Sequence, residues 1–131
     1  MVLKIRGSIS FYDFAKAKER FNKSTNRILK DYNVMGIYGI YLDDTLVYIG
    51  QSKNIKNRWI QHKQQIEAPL ISFEYKESGI DALYNTLRQY YREGIESIYF
   101  CILEIVKDES KLKKLETEYI NFFKPKYNLR H

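Results

Sequence analysis

The chain has 131 residues, of which 44% are hydrophobic and 15% aromatic, and it carries a formal net charge of +6. This length and supply of core residues allow one compact domain, and they exclude both two ordinary domains and general disorder. No apolar run is long enough to span a bilayer and residues 1–10 lack a signal-peptide core, so the sequence predicts a soluble intracellular, cytoplasmic protein, whose basic charge fits a nucleic-acid partner.

Residues 8–31 are a basic amphipathic stretch. Its aromatic side is formed by Phe11, Phe14 and Phe21, and the basic residues around it are Lys16, Lys18, Arg20, Lys23 and Arg27. The spacing predicts one or two helices, broken near Asn22-Lys23-Ser24. We therefore assign residues 1–32 to a basic amphipathic N-terminal extension, and residues 33–131 to the main domain. The aromatic side either packs on its own domain or supplies a self-association face.

Two short runs rich in Ile, Tyr and Val lie between about Met35 and Gly50, on either side of Asp43-Asp44-Thr45. Such runs around a tight polar turn are typical of a β-hairpin. Tyr38 and Tyr48 would occupy its two arms and could approach each other across it. Core packing is the default interpretation in a chain with 12 tyrosines.

Two helices are predicted after the hairpin. Ser52 or Asn54 can cap the first, which covers roughly residues 55–66. Residues 67–80 are predicted to be a loop. The second helix starts behind Asp81 and brings an apolar set to one face, namely Leu83, Leu87 and Tyr91.

The last elements are a strand and a helix. Residues 98–106 are almost continuously apolar and rich in β-formers, which is typical of a buried strand, and the single cysteine, Cys101, lies within it as a small hydrophobe. A helix follows over roughly residues 109–123. It is predicted to end there because Pro125 prevents its continuation. The order hairpin, helix, helix, strand, helix predicts an α+β fold with a small, mainly antiparallel three-stranded sheet flanked by helices.

A carboxylate stands out on the last predicted helix. Glu116 lies between Leu112 and Ile120 at helical spacing, within the apolar stripe, whereas Glu118 falls on the opposite side. A carboxylate in an apolar stripe must be paired, protonated or bound to a metal, since burying it alone is costly. The alternative is a residue at the edge of the stripe that reaches water or a lysine.

Arg58 and His62 are four residues apart on the first predicted helix and share one face. Arg can stabilise charge on a scissile phosphate, and His can relay a proton near neutral pH. The pair is a weak signal by itself, because most such pairs are ordinary surface residues.

Taken together, these segments resemble the GIY-YIG endonuclease superfamily over about residues 34–129. The two motifs that give the family its name correspond to Gly36-Ile37-Tyr38 and Tyr48-Ile49-Gly50. The other positions that follow in the family's order and at its intervals are Arg58, His62, Glu116 and Asn128. Agreement at all of these positions is a strong signal, since chance matches to single motifs rarely occur together, in order and at the right intervals, in one chain.

The resemblance implies one divalent cation, Mg²⁺ or Mn²⁺, bound by Glu116. It implies that Arg58 stabilises the negative charge of the transition state. Tyr38 or Tyr48 would activate the attacking water, with Tyr38 preferred, and His62 would accept or relay the proton.

Supporting residues follow from the same resemblance. Gly36 and Gly50 complete the two motifs, and Asn128 is expected to brace the site by hydrogen bonding. Some members of the family carry Lys directly after the second motif, where this chain has Gln51. Either Lys53 supplies that charge, or the enzyme acts without it.

The implied function is a metal-dependent endonuclease that hydrolyses DNA, of restriction or phage-encoded type. The alternatives are a nucleic-acid-binding module without cleavage, and a structure-specific or RNA nuclease. One catalytic Glu per chain implies one strand cut per site, so cutting both strands requires a homodimer, a higher oligomer or sequential nicking. Targeting is expected from loops, the N-terminal extension, oligomerisation or a partner protein, because no second DNA-binding module follows the domain.

Overall fold

Four strands and four helices make up the computed structural model, which describes residues 5–19, 32–68 and 79–128. In chain order they are β1 (Gly7–Ser10), α1 (Phe11–Glu19), β2 (Gly36–Leu42), β3 (Thr45–Ser52), α2 (Ile55–Glu67), α3 (Gly79–Arg92), β4 (Ile98–Ile105) and α4 (Leu112–Phe123). One turn of 3₁₀-helix, Glu109–Lys111, leads into α4. No helix in these three described ranges combines the length and apolar character needed to cross a bilayer.

The strands form one antiparallel sheet in the order β1-β4-β2-β3. The predicted hairpin is confirmed as β2 and β3. Asp43 and Asp44 close it with φ angles of 51° and 64°. Positive φ at both turn residues matches the right-handed twist of the flanking strands, which is why Asp and Asn are favoured there.

The prediction of three strands was wrong by one. Residues 8–10 were predicted to belong to a helical stretch, but Gly7–Ser10 forms β1 and pairs with β4 over Gly7↔Ile102 to Ser10↔Tyr99. Four residues are too few to show the alternation that marks a strand. Pairing satisfies backbone groups that would otherwise stand unpaired along the outer edge of β4.

A helix does follow at Phe11, as predicted. Phe11 and Phe14 are fully buried, and both contact Phe100 edge to face. The first part of the proposed extension is therefore integral to the core. Phe21, Arg20, Lys23, Arg27 and the break predicted near Asn22-Lys23-Ser24 lie outside the described residues, and the domain division at residue 32 stays a prediction.

Helices cover both faces of the sheet. On one face, α1, α2 and α3 pack against side chains that include Tyr38, Ile40 and Phe100. On the other face, α4 packs over Ile37 and Ile49, together with Cys101 and Leu103. The central strand β4 is buried on both sides, which explains its continuous apolar run.

The predicted helices are confirmed with small shifts at their ends. Asn54 caps α2 by accepting a hydrogen bond from Asn57 N at 3.0 Å, so of the two predicted caps Asn54 is the one used. The second helix begins at Gly79 rather than behind Asp81. The last α-helix begins at Leu112, after the 3₁₀ turn.

Candidate active site

The hairpin brings the two motif tyrosines together. Tyr38 on β2 lies opposite Gly50, while Tyr48 lies opposite Ile40 on the same face. The ring centroids of Tyr38 and Tyr48 are 6.4 Å apart. Tyr38 is only 1% exposed, whereas Tyr48 is half-buried.

Each motif glycine has a steric reason in this arrangement. A Cβ on Gly50 would overlap the ring and hydroxyl of Tyr38, which therefore lies directly across β3. A Cβ on Gly36 would overlap the carbonyl oxygen of Glu104 on β4. Only glycine, which has no Cβ, allows the Tyr38 ring to approach Gly50 and the β4 backbone to approach Gly36 this closely.

His62 on α2 connects the hairpin to α3. Its side chain is fully buried, with Nε2 at 2.7 Å from the Tyr38 hydroxyl and Nδ1 at 2.7 Å from the Tyr84 hydroxyl. Burial, aided by the nearby Arg58 cation, lowers the pKa of His62 to about 3. The imidazole is therefore neutral near pH 7, with one ring nitrogen donating and the other accepting.

Arg58, one turn before His62, carries the cation of the site. Its half-buried guanidinium lies near both Tyr38 and Tyr48 and opposes the rise of their pKa values, and Nη1 donates to Gln61 Oε1 at 2.8 Å. A cavity of about 380 Å³ lies beside it, between α2 and α3. One positive charge thus reaches both tyrosines and faces a volume open to solvent.

Neither tyrosine is set up as a stable phenolate. Burial raises the pKa of Tyr38 and of Tyr48 above the ordinary tyrosine value, and the opposing effect of Arg58 is smaller in both cases. A hydroxyl of this kind can take part in proton transfer only if it passes its own proton on. Tyr38 has an acceptor for that proton in His62.

Glu116 approaches the hairpin from the other face of the sheet. It is half-buried on α4, near the backbone N–H of Gln51, and lies close enough to Tyr48 to raise the pKa of that tyrosine. Burial raises the pKa of the Glu116 carboxyl itself, while Gln51 and Lys113 act in the opposite direction. Glu118 is exposed, in agreement with the predicted face of each residue.

Asn128 holds the outer edge of β3. Its side chain accepts a hydrogen bond from Ile49 N at 2.9 Å and donates one to Ile49 O at 2.8 Å. Since β3 is an edge strand, these are groups that a further strand would otherwise bind. The amide therefore acts as a short substitute for a neighbouring strand, directly between Tyr48 and Gly50.

The predicted residues are thus brought together with one exception. Lys53 is 73% exposed and pairs on the surface with Glu109 at 2.8 Å, away from the tyrosines. One partner was missed, namely Tyr84. Its position on the apolar face of α3 is indistinguishable in sequence from an ordinary core tyrosine, so only its contact with His62 reveals it.

Comparison with known proteins agrees with this geometry. Residues 34–128 match the family model of the GIY-YIG catalytic domain. Solved structures similar to the chain include two point mutants of the GIY-YIG N-terminal endonuclease domain of UvrC from Thermotoga maritima, each described as bound to a catalytic divalent cation. Both are 20% identical over 85% of this chain and 100% of that chain, with TM-scores of 0.49 and 0.46. No curated protein matches the chain. Because the family model covers well over half of the sequence, the chain belongs to the GIY-YIG family and is a nuclease of that superfamily.

Proposed function

We propose that this nuclease hydrolyses phosphodiester bonds of DNA with the help of one divalent cation. The observation that carries the proposal is the Tyr38 hydroxyl, which lies between a neutral, buried His62 and the Arg58 guanidinium. Tyr48 lies near both Arg58 and Glu116, so the carboxylate belongs to the same site. A proton acceptor, a cation and a carboxylate in one place are the parts that phosphodiester hydrolysis requires.

Tyr38 is the proposed base. As the hydroxyl takes a proton from the attacking water, it passes its own proton to His62 Nε2, so no free phenolate has to form. The Tyr48 ring contacts His62 edge to face, but within the described part of the chain its hydroxyl makes no hydrogen bond to His62. Because Tyr38 is 1% exposed, the water it activates would be bound inside the site with the substrate.

Arg58 is the proposed stabiliser of the transition state. Its guanidinium is charged at every relevant pH and presents several donors to phosphate oxygens. Its position beside both tyrosines places that charge next to the point of water attack. A phosphate entering from the cavity between α2 and α3 would meet Arg58 first.

Glu116 is the proposed metal ligand. In the described ranges no three His, Cys, Asp or Glu side chains converge as a metal cage. A single half-buried carboxylate fits Mg²⁺ or Mn²⁺, because such hard ions are commonly held by one or two carboxylates together with water and substrate phosphate. When bound, the cation would polarise the scissile phosphate and stabilise the leaving 3′-oxygen.

Plasmid cleavage tests the proposal. Supercoiled DNA is incubated with wild type, Glu116→Ala or Glu118→Ala, with Mg²⁺, Mn²⁺ or EDTA. We expect metal-dependent nicking by wild type and by Glu118→Ala, whose residue is exposed on the same helix, and none by Glu116→Ala. Binding without cutting by wild type, on duplex, branched and single-stranded DNA, would instead favour a nucleic-acid-binding module.

The proposal also covers the choice of DNA over RNA, the restriction or phage-encoded type of nuclease, and the oligomeric state. Competition by RNA in the plasmid assay separates a DNA nuclease from an RNA nuclease. Sequencing of the cleaved ends tests the restriction or phage-encoded type, because a fixed site and a fixed stagger are expected of a restriction enzyme. Sedimentation of the active species tests whether double-strand cutting uses a homodimer or higher oligomer.

A further inference from the structure

We infer that Tyr84 is a positioning residue that fixes which ring nitrogen of His62 carries the proton, and so keeps Nε2 free to receive the proton of Tyr38. The inference rests on the proposed function for its catalytic consequence. Its structural part concerns the protein alone and can be tested without substrate.

The hydrogen bonds around His62 leave two arrangements. Either Tyr38 donates to Nε2 while Nδ1–H donates to Tyr84, or the reverse holds, with Tyr84 donating to Nδ1 and Nε2–H donating to Tyr38. Both contacts measure 2.7 Å, so distance does not choose between them. The choice depends on what else each hydroxyl must bind.

The surroundings of Tyr38 favour the first arrangement. Within the described part of the chain, the hydrogen-bond partner of the Tyr38 hydroxyl is His62 Nε2, and Tyr38 is only 1% exposed. If Nε2–H donated to that oxygen, the Tyr38 O–H would have no acceptor. A buried donor without an acceptor is costly, so the proton of Tyr38 points to Nε2.

The surroundings of Tyr84 agree. Its side chain lines the cavity of about 380 Å³ together with Asp81 and Arg58, so its own proton can be donated to water there. Arg88 lies over the Tyr84 ring at 5.7 Å from the centroid and helps to hold it in place. The Tyr84 oxygen is then free to accept from Nδ1–H. In the described part of the chain, the one buried side-chain nitrogen or oxygen without a partner is Trp59 Nε1, so both ring nitrogens of His62 are satisfied.

Removing the Tyr84 hydroxyl should therefore change the tautomer. Without that oxygen, Nδ1–H would be a buried donor with no acceptor. Moving the proton to Nε2 instead leaves the Tyr38 O–H as the buried donor without an acceptor. Each tautomer then costs one buried donor, so the preference for Nδ1–H is lost and Nε2–H becomes populated. Molecules with Nε2–H cannot accept the proton of Tyr38.

The direct test is ¹⁵N NMR of the histidine side chains near pH 7, since ring nitrogen shifts separate the two tautomers. The chain has 2 histidines, so His131→Asn assigns the His62 signals. We expect Nδ1–H in wild type and a shift towards Nε2–H in Tyr84→Phe. Tyr90→Phe is the control, because that hydroxyl lies on the same helix but binds Asp43 at 2.6 Å. Nε2–H in wild type, or an unchanged tautomer in Tyr84→Phe, would overturn the inference.

Kinetics supply the second readout. Tyr84→Phe should lower kcat by up to about 10-fold to 100-fold, the range found when the hydrogen-bond partner that orients a metal-bound histidine is lost, with KM unchanged. Tyr90→Phe should match wild type. A wild-type kcat in Tyr84→Phe would contradict the catalytic consequence. If wild type cuts no DNA, the proposed function fails, and the NMR spectra still decide whether Tyr84 sets the tautomer.

Discussion

The Tyr38 hydroxyl lies 2.7 Å from His62 Nε2, whereas Tyr48 contacts the His62 ring edge to face without a hydrogen bond to it in the described part of the chain. The two side chains are chemically identical and stand on neighbouring strands. Their difference comes from what surrounds them, because burial disfavours both phenolates and only one hydroxyl has a neutral base beside it. Proton transfer through Tyr38 avoids the free phenolate that burial opposes.

Substitution of each tyrosine by Phe separates their roles. Tyr38→Phe removes the proton path to His62 and should lower the single-turnover cleavage rate about 10²-fold to 10⁴-fold, the usual contribution of general acid–base catalysis. Tyr48→Phe removes a hydroxyl that lies near Arg58 but is not hydrogen-bonded to His62, and it should cost about tenfold. An equal loss in both variants, or a larger loss in Tyr48→Phe, would assign the base to Tyr48.

His62 should also affect how stability depends on pH. Its pKa is lowered to about 3 in the folded protein from an ordinary value of 6.5. Between these values the unfolded chain binds a proton that the folded protein does not, so stability falls as pH decreases from 6.5 towards 3. The slope is at most about 1.4 kcal/mol per pH unit from this one group.

Chemical denaturation of wild type and His62→Gln between pH 4 and 7 measures that slope. The carboxylates contribute equally to both proteins, so the difference between the two curves isolates His62. We expect the stability of His62→Gln to fall less steeply with acidification. Parallel curves would mean that His62 is not held neutral by the fold.

At the scale of elements, β3 organises the site along both its face and its outer edge. Tyr48 extends from its face, while the outward N–H of Ile49 donates to Asn128 and that of Gln51 lies near Glu116, whose pKa it lowers. Alternate residues along an edge strand present their backbone groups to the same side. Asn128 and Glu116 therefore both lie along the outer edge of β3.

Gly50 allows this strand to pass beneath Tyr38. Gly50→Ala would place a Cβ against the Tyr38 ring and hydroxyl, so the ring or the strand must move. We expect a loss of about 1–3 kcal/mol in unfolding free energy, as for other overpacked sites, and a loss of cleavage. Urea denaturation and the plasmid assay measure the two effects.

Gly7→Ala is the matched control for that experiment. It lies in the same sheet, and its added Cβ would meet Tyr32 Cε1 at an ordinary contact distance of 3.5 Å. Its stability should stay within about 1 kcal/mol of wild type, as at other uncrowded positions. If Gly50→Ala were as stable and active as Gly7→Ala, the crowding argument would be wrong.

The sequence predicted those elements whose patterns are long enough to read. The hairpin and β4 are runs rich in β-forming residues, α2 shows helical spacing of apolar residues, and Glu116 stood out because it interrupts an apolar stripe. β1 has four residues and no readable alternation. Tyr84 resembles any core tyrosine until the packing of α2 against α3 places it beside His62. The sequence left open whether Lys53 supplies charge to the site, because sequence proximity does not fix where a flexible side chain points.

For the molecule as a whole, the site includes residues from both faces of the sheet. His62 and Tyr84 belong to the helices on one face, and Glu116 belongs to α4 on the other. The sheet must therefore be rigid if His62 and Tyr84 are to keep a fixed distance from Glu116. β1 and α1 contribute to that rigidity, because they cover the outer side of β4 and fill the core with Phe11 and Phe14.

A fragment of residues 33–131 tests this contribution and the predicted domain division together. It lacks two fully buried phenylalanines, each contributing about 1.5–3 kcal/mol, and the pairing partner of β4. Since small domains are stable by about 5–15 kcal/mol, we expect a lower Tm, exposed apolar surface that binds dye, and little cleavage. The full chain, measured under the same conditions, is the control. If residues 33–131 instead unfolded cooperatively at the Tm of the full chain, the N-terminal segment would be an appendage and the division at residue 32 would hold.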